Sequence, residues 1–193
     1  MSEKILNNNF QNKIKFFVNK NLKRLVVISI CSILILFGYF FFKDLQEKKG
    51  IELSEAYTQA SVQFYKKEIE DAKKLLKDII NKKHKFYSPM ALYFLIDNNL
   101  ETDSKIIINA FDKILLINSI DQENLNLIKI KKAIFLFKLG NEEAMLTTLN
   151  PIVNSDSVWR KMAIELISDY FISKNQTVKA SEYIQLLNSK NNK

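Results

Sequence analysis

Between Lys23-Arg24 and Lys43-Asp44 the chain runs LVVISICSILILFGYFFF, 18 residues without a charge, Leu25 to Phe42. A helix rises ~1.5 Å per residue, so this run reaches about 27 Å, close to the ~30 Å hydrocarbon core of a bilayer. A helix in the core of a soluble domain would keep polar residues on one face, and this one is apolar all round. A cleaved signal peptide ends its apolar region in small residues, whereas this run ends Phe40-Phe41-Phe42-Lys43. A lipoprotein signal needs a small residue before its cysteine, and Ile30 precedes Cys31 in mid-run. The sequence therefore predicts one uncleaved transmembrane anchor.

Charge sets its orientation. Residues 1–24 carry Lys4, Lys13, Lys15, Lys20, Lys23 and Arg24 against the single acid Glu3. On the other flank Lys43, Lys48 and Lys49 are balanced by Asp44, Glu47 and Glu52. Lysine and arginine are retained on the cytoplasmic side, so the N-terminus is expected inside and the rest of the chain outside. Phe10, Ile14, Phe16, Phe17 and Val18 alternate with lysines in the arm. That pattern suits either a short helix lying on anionic lipid or a solvated basic flank.

The net charge of +8 does not point to nucleic acid. Residues 1–49 hold 9 basic and 3 acidic residues, while residues 50–193 hold 20 and 18. The excess belongs to the arm, and the domain beyond it carries no basic stripe of the kind that tracks a phosphate backbone.

The inventory of reactive residues is short. Cys31 lies inside the apolar run and His84 lies in the polar connector Asn81-Lys82-Lys83-His84-Lys85, where it reads as solvated. Neither can join a thiolate or imidazole metal site with anything evident. Three glycines, Gly38, Gly50 and Gly140, build no phosphate loop or dinucleotide fingerprint. No serine sits in a G-x-S-x-G elbow. Glu142-Glu143 reads as a helix start favoured by the helix dipole. The expectation is a non-enzyme without cofactor or metal.

Beyond the anchor the pattern is helical throughout. Helices are expected at Ile51 to Tyr65 and Ile69 to Asn81. A third opens at Ser88 as N-cap with Pro89 in the first turn. A fourth starts at Thr102 or Ser104 and ends near Asn118. Ser119 and Gln122 have capping-box spacing and open a fifth that closes at Gly140. Asn141 caps a sixth reaching Val153, and two more span Asp156 to Ser173 and Gln176 to Asn188. The expected division is a basic cytoplasmic arm at 1–24, the span at 25–42, a short linker at 43–50, a helical domain at 51–188 and a frayed tail at 189–193.

Eight helices on short loops make four antiparallel pairs. Ala72, Ala144 and Ala180 fall early in second helices, 72 and 36 residues apart, with Ile108 in the empty slot. A unit of about 36 residues is close to the 34-residue tetratricopeptide repeat. The last unit fits it best, with Ile164, Ile167, Ser168 and Phe171 followed by Ala180, Ile184 and Leu187. Asn175 stands in the inter-helix turn, where asparagine tolerates positive φ. Lys138 to Ala144 resembles the repeat's K-L-G-D-Y-E-E-A turn with one residue missing. An irregular array of α-hairpins is the other reading of the same helices. The fold class is thus all-α: one N-terminal transmembrane helix, then a tetratricopeptide-like array of about four antiparallel helix pairs.

Three segments carry a family resemblance. Glu70-Asp71-Ala72-Lys73-Lys74-Leu75-Leu76 sits like an E-x-A-x-x-L-L helix, and Tyr87-Ser88-Pro89-Met90-Ala91-Leu92-Tyr93 like a stretch between repeats. Ser157-Val158-Trp159-Arg160-Lys161-Met162-Ala163-Ile164-Glu165-Leu166 is similar to a W-R-x-x-A-x-E-L helix. With the basic arm and single anchor, the chain resembles the ancillary SecYEG translocon subunit family in its α-proteobacterial form. That domain type also occurs in cell-division coordinator proteins. The resemblance implies an inner-membrane protein with a periplasmic domain and no catalytic residues. It implies protein partners: the export channel, a periplasmic chaperone or membrane-anchored prolyl isomerase, and nascent chains, with membrane lipid met only through the anchor. A scaffold for cell division or outer-membrane biogenesis is the alternative.

Stacked hairpins curve into a concave surface that suits an extended peptide or a partner helix. The repeat register puts Tyr57, Phe64, Ile130, Ile134 and Phe137 on the inner faces of first helices, as partner contacts or as ordinary core. Trp159 begins the seventh helix, where it either meets a partner or packs between the last two units.

Overall fold

Short polar loops between amphipathic stretches leave this sequence little choice but helix. A computed structural model describes the backbone of residues 2–189, and the side chains of residues 20–187 other than Leu25, Phe42 and Gln46. Its elements are α1 (Ser2–Tyr65), α2 (Ile69–Asn81), α3 (Tyr87–Asp97), α4 (Ser104–Leu115), α5 (Gln122–Lys138), α6 (Glu142–Val153), α7 (Arg160–Ser173) and α8 (Thr177–Ser189). No strand occurs among the described residues. The chain falls into two compact units, residues 1–52 and 53–193.

The first unit is helical backbone. Within α1 the stretch from Lys20 is long and apolar enough to cross a membrane, the one such helix among the described residues. Ser32 Oγ donates back to Ile28 O at 2.9 Å, the bond a hydroxyl makes where no water competes. Residues 43–50, read as a linker, are helical. Asp44 and Lys48 pair at 2.8 Å one turn apart there, and Gly50 alone weakens the helical propensity. The alternation of phenylalanines and lysines in the arm concerns side chains outside the described residues, as do residues 190–193 of the tail.

In the second unit the first helices of the four hairpins are the end of α1, α3, α5 and α7. Each ends the same way. Lys67, Asn99, Gly140 and Asn175 hold φ of 66, 53, 69 and 59°, in the left-handed region. The next residue's N–H then reaches back five residues: Glu68 to Gln63 O at 2.9 Å, Leu100 to Leu95 O at 2.9 Å, Asn141 to Leu136 O at 3.1 Å and Gln176 to Phe171 O at 2.8 Å. These are four Schellman closures, which satisfy orphan carbonyls and reverse the chain into the second helix. Asn99, Gly140 and Asn175 are of residue types that favour this conformation, and Lys67 is not.

Caps explain where several helices differ from the sequence expectation. Ser88 is not the N-cap of α3 but lies inside it, fully buried, accepting from His84 N–H and donating to Ile79 O, both at 2.9 Å. His84 does the capping instead: its Nδ1 accepts the N–H groups of Phe86 and Tyr87 at 3.2 Å. The histidine read as solvated is thus part of the fold. Burial first, and Lys85 second, push its pKa below the ordinary value. Asp103, rather than Thr102 or Ser104, caps α4, and Asp121, rather than Ser119, caps α5. Asn141 caps α6 as expected, through Ala144 N–H at 3.1 Å. The helix expected from Asp156 begins at Arg160, because Ser157 is used as a buried hub. Its hydroxyl donates to Glu123 Oε2 at 2.7 Å and accepts from Asn126 Nδ2 at 3.0 Å.

Two apolar clusters fill the second unit. One gathers Leu53, Ala60, Leu76, Leu92, Phe111 and Ile114, and the other Ile130, Leu136, Met145, Leu149, Ile164 and Phe171. Their boundary falls inside α5, between Ile128 and Ile130. Of the repeat alanines, Ala72 and Ala180 are buried, where a small side chain lets neighbouring helices approach, and Ala144 is half-buried against the second cluster. In the last hairpin Ser168 Oγ donates to Ala180 O at 3.3 Å. Arg160 ties the hairpin down, its guanidinium donating to Val153 O and Leu186 O at 2.9 and 2.8 Å.

Candidate protein-interaction faces

A hairpin array offers two kinds of surface, one built from first helices and one from second helices. The five residues predicted on first helices separate in the structure. Ile130 is only 1% exposed, inside the second cluster, and has no surface to offer a partner. Its place in the register is correct for packing, and the seam between the clusters closes over it. Tyr57 and Phe64 are half-buried against the first cluster, and both rings meet Phe94 edge-on, at 6.0 and 5.4 Å. Phe137 is half-buried against Tyr170, edge-on at 5.4 Å. Ile134, 36% exposed, is the most accessible of the five. The structure therefore does not bring them into one open groove. Trp159 precedes α7 and packs, half-buried, against the second cluster.

The first-helix side does hold a hollow, of about 320 Å³, and none of the five lines it. It opens between α3 and α5, with Met90, Tyr93 and Leu127 in its wall and Phe86, 56% exposed, at its edge. The Tyr93 hydroxyl is buried there with no hydrogen-bond partner among the described residues. Burial pushes its pKa up to about 12, so it stays a neutral donor. The ammonium of Lys131 stands 5.6 Å from the centre of the Tyr93 ring.

On the second-helix side, α2 and α4 are in contact, and a second hollow of about 350 Å³ opens beside them. Its floor is apolar, formed by Ile80, Leu92, Leu95 and Ala110, and its rim carries Lys77, Lys105 and Lys113. Glu101, 7% exposed, anchors one end. Its Oε2 lies 2.6 Å from Lys77 Nζ and 3.3 Å from Lys73 Nζ, and its Oε1 accepts from the N–H groups of Thr102 and Asp103. Lys77 foremost, with the Asp103 N–H and Lys73, outweighs burial and holds the carboxyl at about 2 against an ordinary 4.5. The sequence reading missed this face. Its signal was present, since Lys105, Asn109 and Lys113 recur every four residues along α4.

Neither hollow resembles a reaction centre. No group of three His, Cys, Asp or Glu side chains among the described residues is placed to share a metal ion. What the faces offer is shape, apolar area and fixed charge, the means of recognising another polypeptide.

A model of the tetratricopeptide repeat-like domain matches residues 15–192. The chain belongs to that family. Tetratricopeptide repeat-like domains are protein-interaction modules, and in this chain α3 packs on α4, α5 on α6 and α7 on α8. No curated protein and no solved structure matches the chain.

Proposed function

We propose that this protein is a membrane-anchored interaction module whose helical domain stands on the outer face of a bacterial inner membrane and serves the protein-export channel. The reading divides the chain into arm, span and domain at 1–24, 25–42 and 51–188. Its main support is the extent of the family match. Residues 15–192 take in the apolar run together with the helical array, which supports reading anchor and module as one unit. The unbalanced basic residues before the span support an inside N-terminus. The resemblance of residues 70–76, 87–93 and 157–166 to ancillary translocon subunits supports the channel as the assembly served. In this role the domain meets emerging chains or recruits a folding factor, and it catalyses nothing itself.

Photo-crosslinking from Phe86 and Ile134, followed by purification from solubilised membranes, tests the reading. Adducts to the export channel, to chains in transit or to a periplasmic chaperone are the expected result. Adducts confined to division or outer-membrane assembly proteins would transfer the module to those machines.

A further inference from the structure

The second-helix face carries more than a hollow. Lys105, Asn109 and Lys113 form one exposed stripe along α4, the two lysines about 12 Å apart by helix rise. On one flank is the 350 Å³ hollow with its apolar floor. On the other is a shallower hollow of about 430 Å³ beside Ile108, Leu116 and Asp112, the leucine 76% exposed and the aspartate paired with Lys132. All three stripe residues line both hollows.

The stripe's charge is not spent within the chain. Glu101 is already held by Lys73 and Lys77, and Asp112 by Lys132 at 2.6 Å. Lys113 reaches only the neutral Oδ1 of Asn81, at 3.2 Å. Neither Lys105 nor Lys113 is ion-paired among the described residues. The three ammonium groups lining the 350 Å³ hollow face a single carboxylate, a surplus of two positive charges. Across α4 the surface thus reads apolar, cationic, apolar.

We propose that this face docks an extended peptide segment crossing α4, with an acidic side chain over the lysine stripe and an apolar side chain in each hollow. In an extended chain, residues i, i+2 and i+4 point the same way, and i and i+4 lie about 13 Å apart. That distance bridges a helix about 10 Å across. The complement to apolar, cationic, apolar is therefore apolar-x-acid-x-apolar. A lipid headgroup supplies charge at one end of an apolar chain and matches only half of the pattern. The site deepens the interaction-module reading and rests on it, naming the chemistry of the peptide recognised. It lies on the face opposite in kind to the first-helix positions Tyr57, Phe64 and Ile134.

The test is fluorescence anisotropy of a labelled, capped peptide centred on Leu-Ser-Glu-Ser-Leu, titrated with the full chain in zwitterionic nanodiscs. Saturable binding is expected. It should weaken at least tenfold when the central Glu is replaced by Gln, when both Leu become Ser, or in the K105Q/K113Q protein, and it should fall as salt rises. These lysines are exposed on a helix that glutamine favours as well, so circular dichroism should show an unchanged fold. Failure of the peptide to bind, or equal binding of the Gln peptide or by the double variant, would overturn the proposal. Binding only to nanodiscs, protein-free ones included, would assign the peptide to lipid and overturn it equally. The crosslinking experiment is independent: channel adducts without peptide binding would remove this site and leave the interaction role in place.

Discussion

Glu101 stands where α3 gives way to α4 and receives two ammonium groups and two backbone N–H groups. Its folded carboxyl is held at about 2 against an unfolded value near 4.5. A depressed carboxylate pKa contributes stability that is present above the unfolded value and is lost as pH falls towards the folded one. Wild-type stability should thus drop between about pH 4.5 and 2 more steeply than that of Glu101→Gln, measured by urea melts at each pH. At neutral pH the variant should be the weaker by about 1–3 kcal/mol, the range for hydrogen bonds to a charged group. Phe64 and Phe137 pose a different question at this scale. Both lie half-buried against the clusters, so replacing both with Ser should lower the melting temperature. The cost should be about 2 kcal/mol each, below the ~3–5 of a fully buried phenylalanine. A pull-down lost at unchanged stability would instead make them groove contacts.

At the scale of elements, four first helices close with the same left-handed turn on four different residues. A lysine in that conformation carries strain that glycine does not. Lys67→Gly should therefore raise stability by about 0.5–1 kcal/mol, and Gly140→Ala should lower it by about 1 kcal/mol, both read from denaturant midpoints. The last hairpin tests the repeat register. Ala180 is buried where α8 meets α7, and its carbonyl accepts from Ser168. Ala180→Phe should overpack that contact and cost about 1–3 kcal/mol. An unchanged melting temperature would mean that the hairpin tolerates a wide separation there. His84 and Ser157 carry a lesson about legibility. His84 looked like a solvated connector residue and Ser157 like part of a helix, because a cap or a hub is defined by the groups it meets. Those are supplied by neighbours whose positions depend on the fold.

At the scale of the whole molecule, membrane insertion and the helical array obey separate rules. The anchor needs only length, apolarity and flanking charge. Protease added to spheroplasts should digest residues 51–193 and spare the arm, and protection of the domain would reverse the proposed orientation. The apolar run, the all-helical class and the buried repeat alanines Ala72 and Ala180 could be read from residue order, since each rests on periodicity within one helix or on a spacing between helices. The interaction faces could not be read that way. Register assigned Ile130 and Ile134 to the same inner face, yet one is sealed in the core and the other lies at the surface. The sequence by itself determined that the chain is helical, which small residues allow close approach and where one apolar run suits a bilayer, because these depend on neighbours within a few residues. Only the tertiary structure decided which side chains remain exposed and which lysines stay unpaired. Burial and ion pairing depend on residues brought together from distant hairpins, such as Glu101 with Lys73 and Lys77, or Asp112 with Lys132.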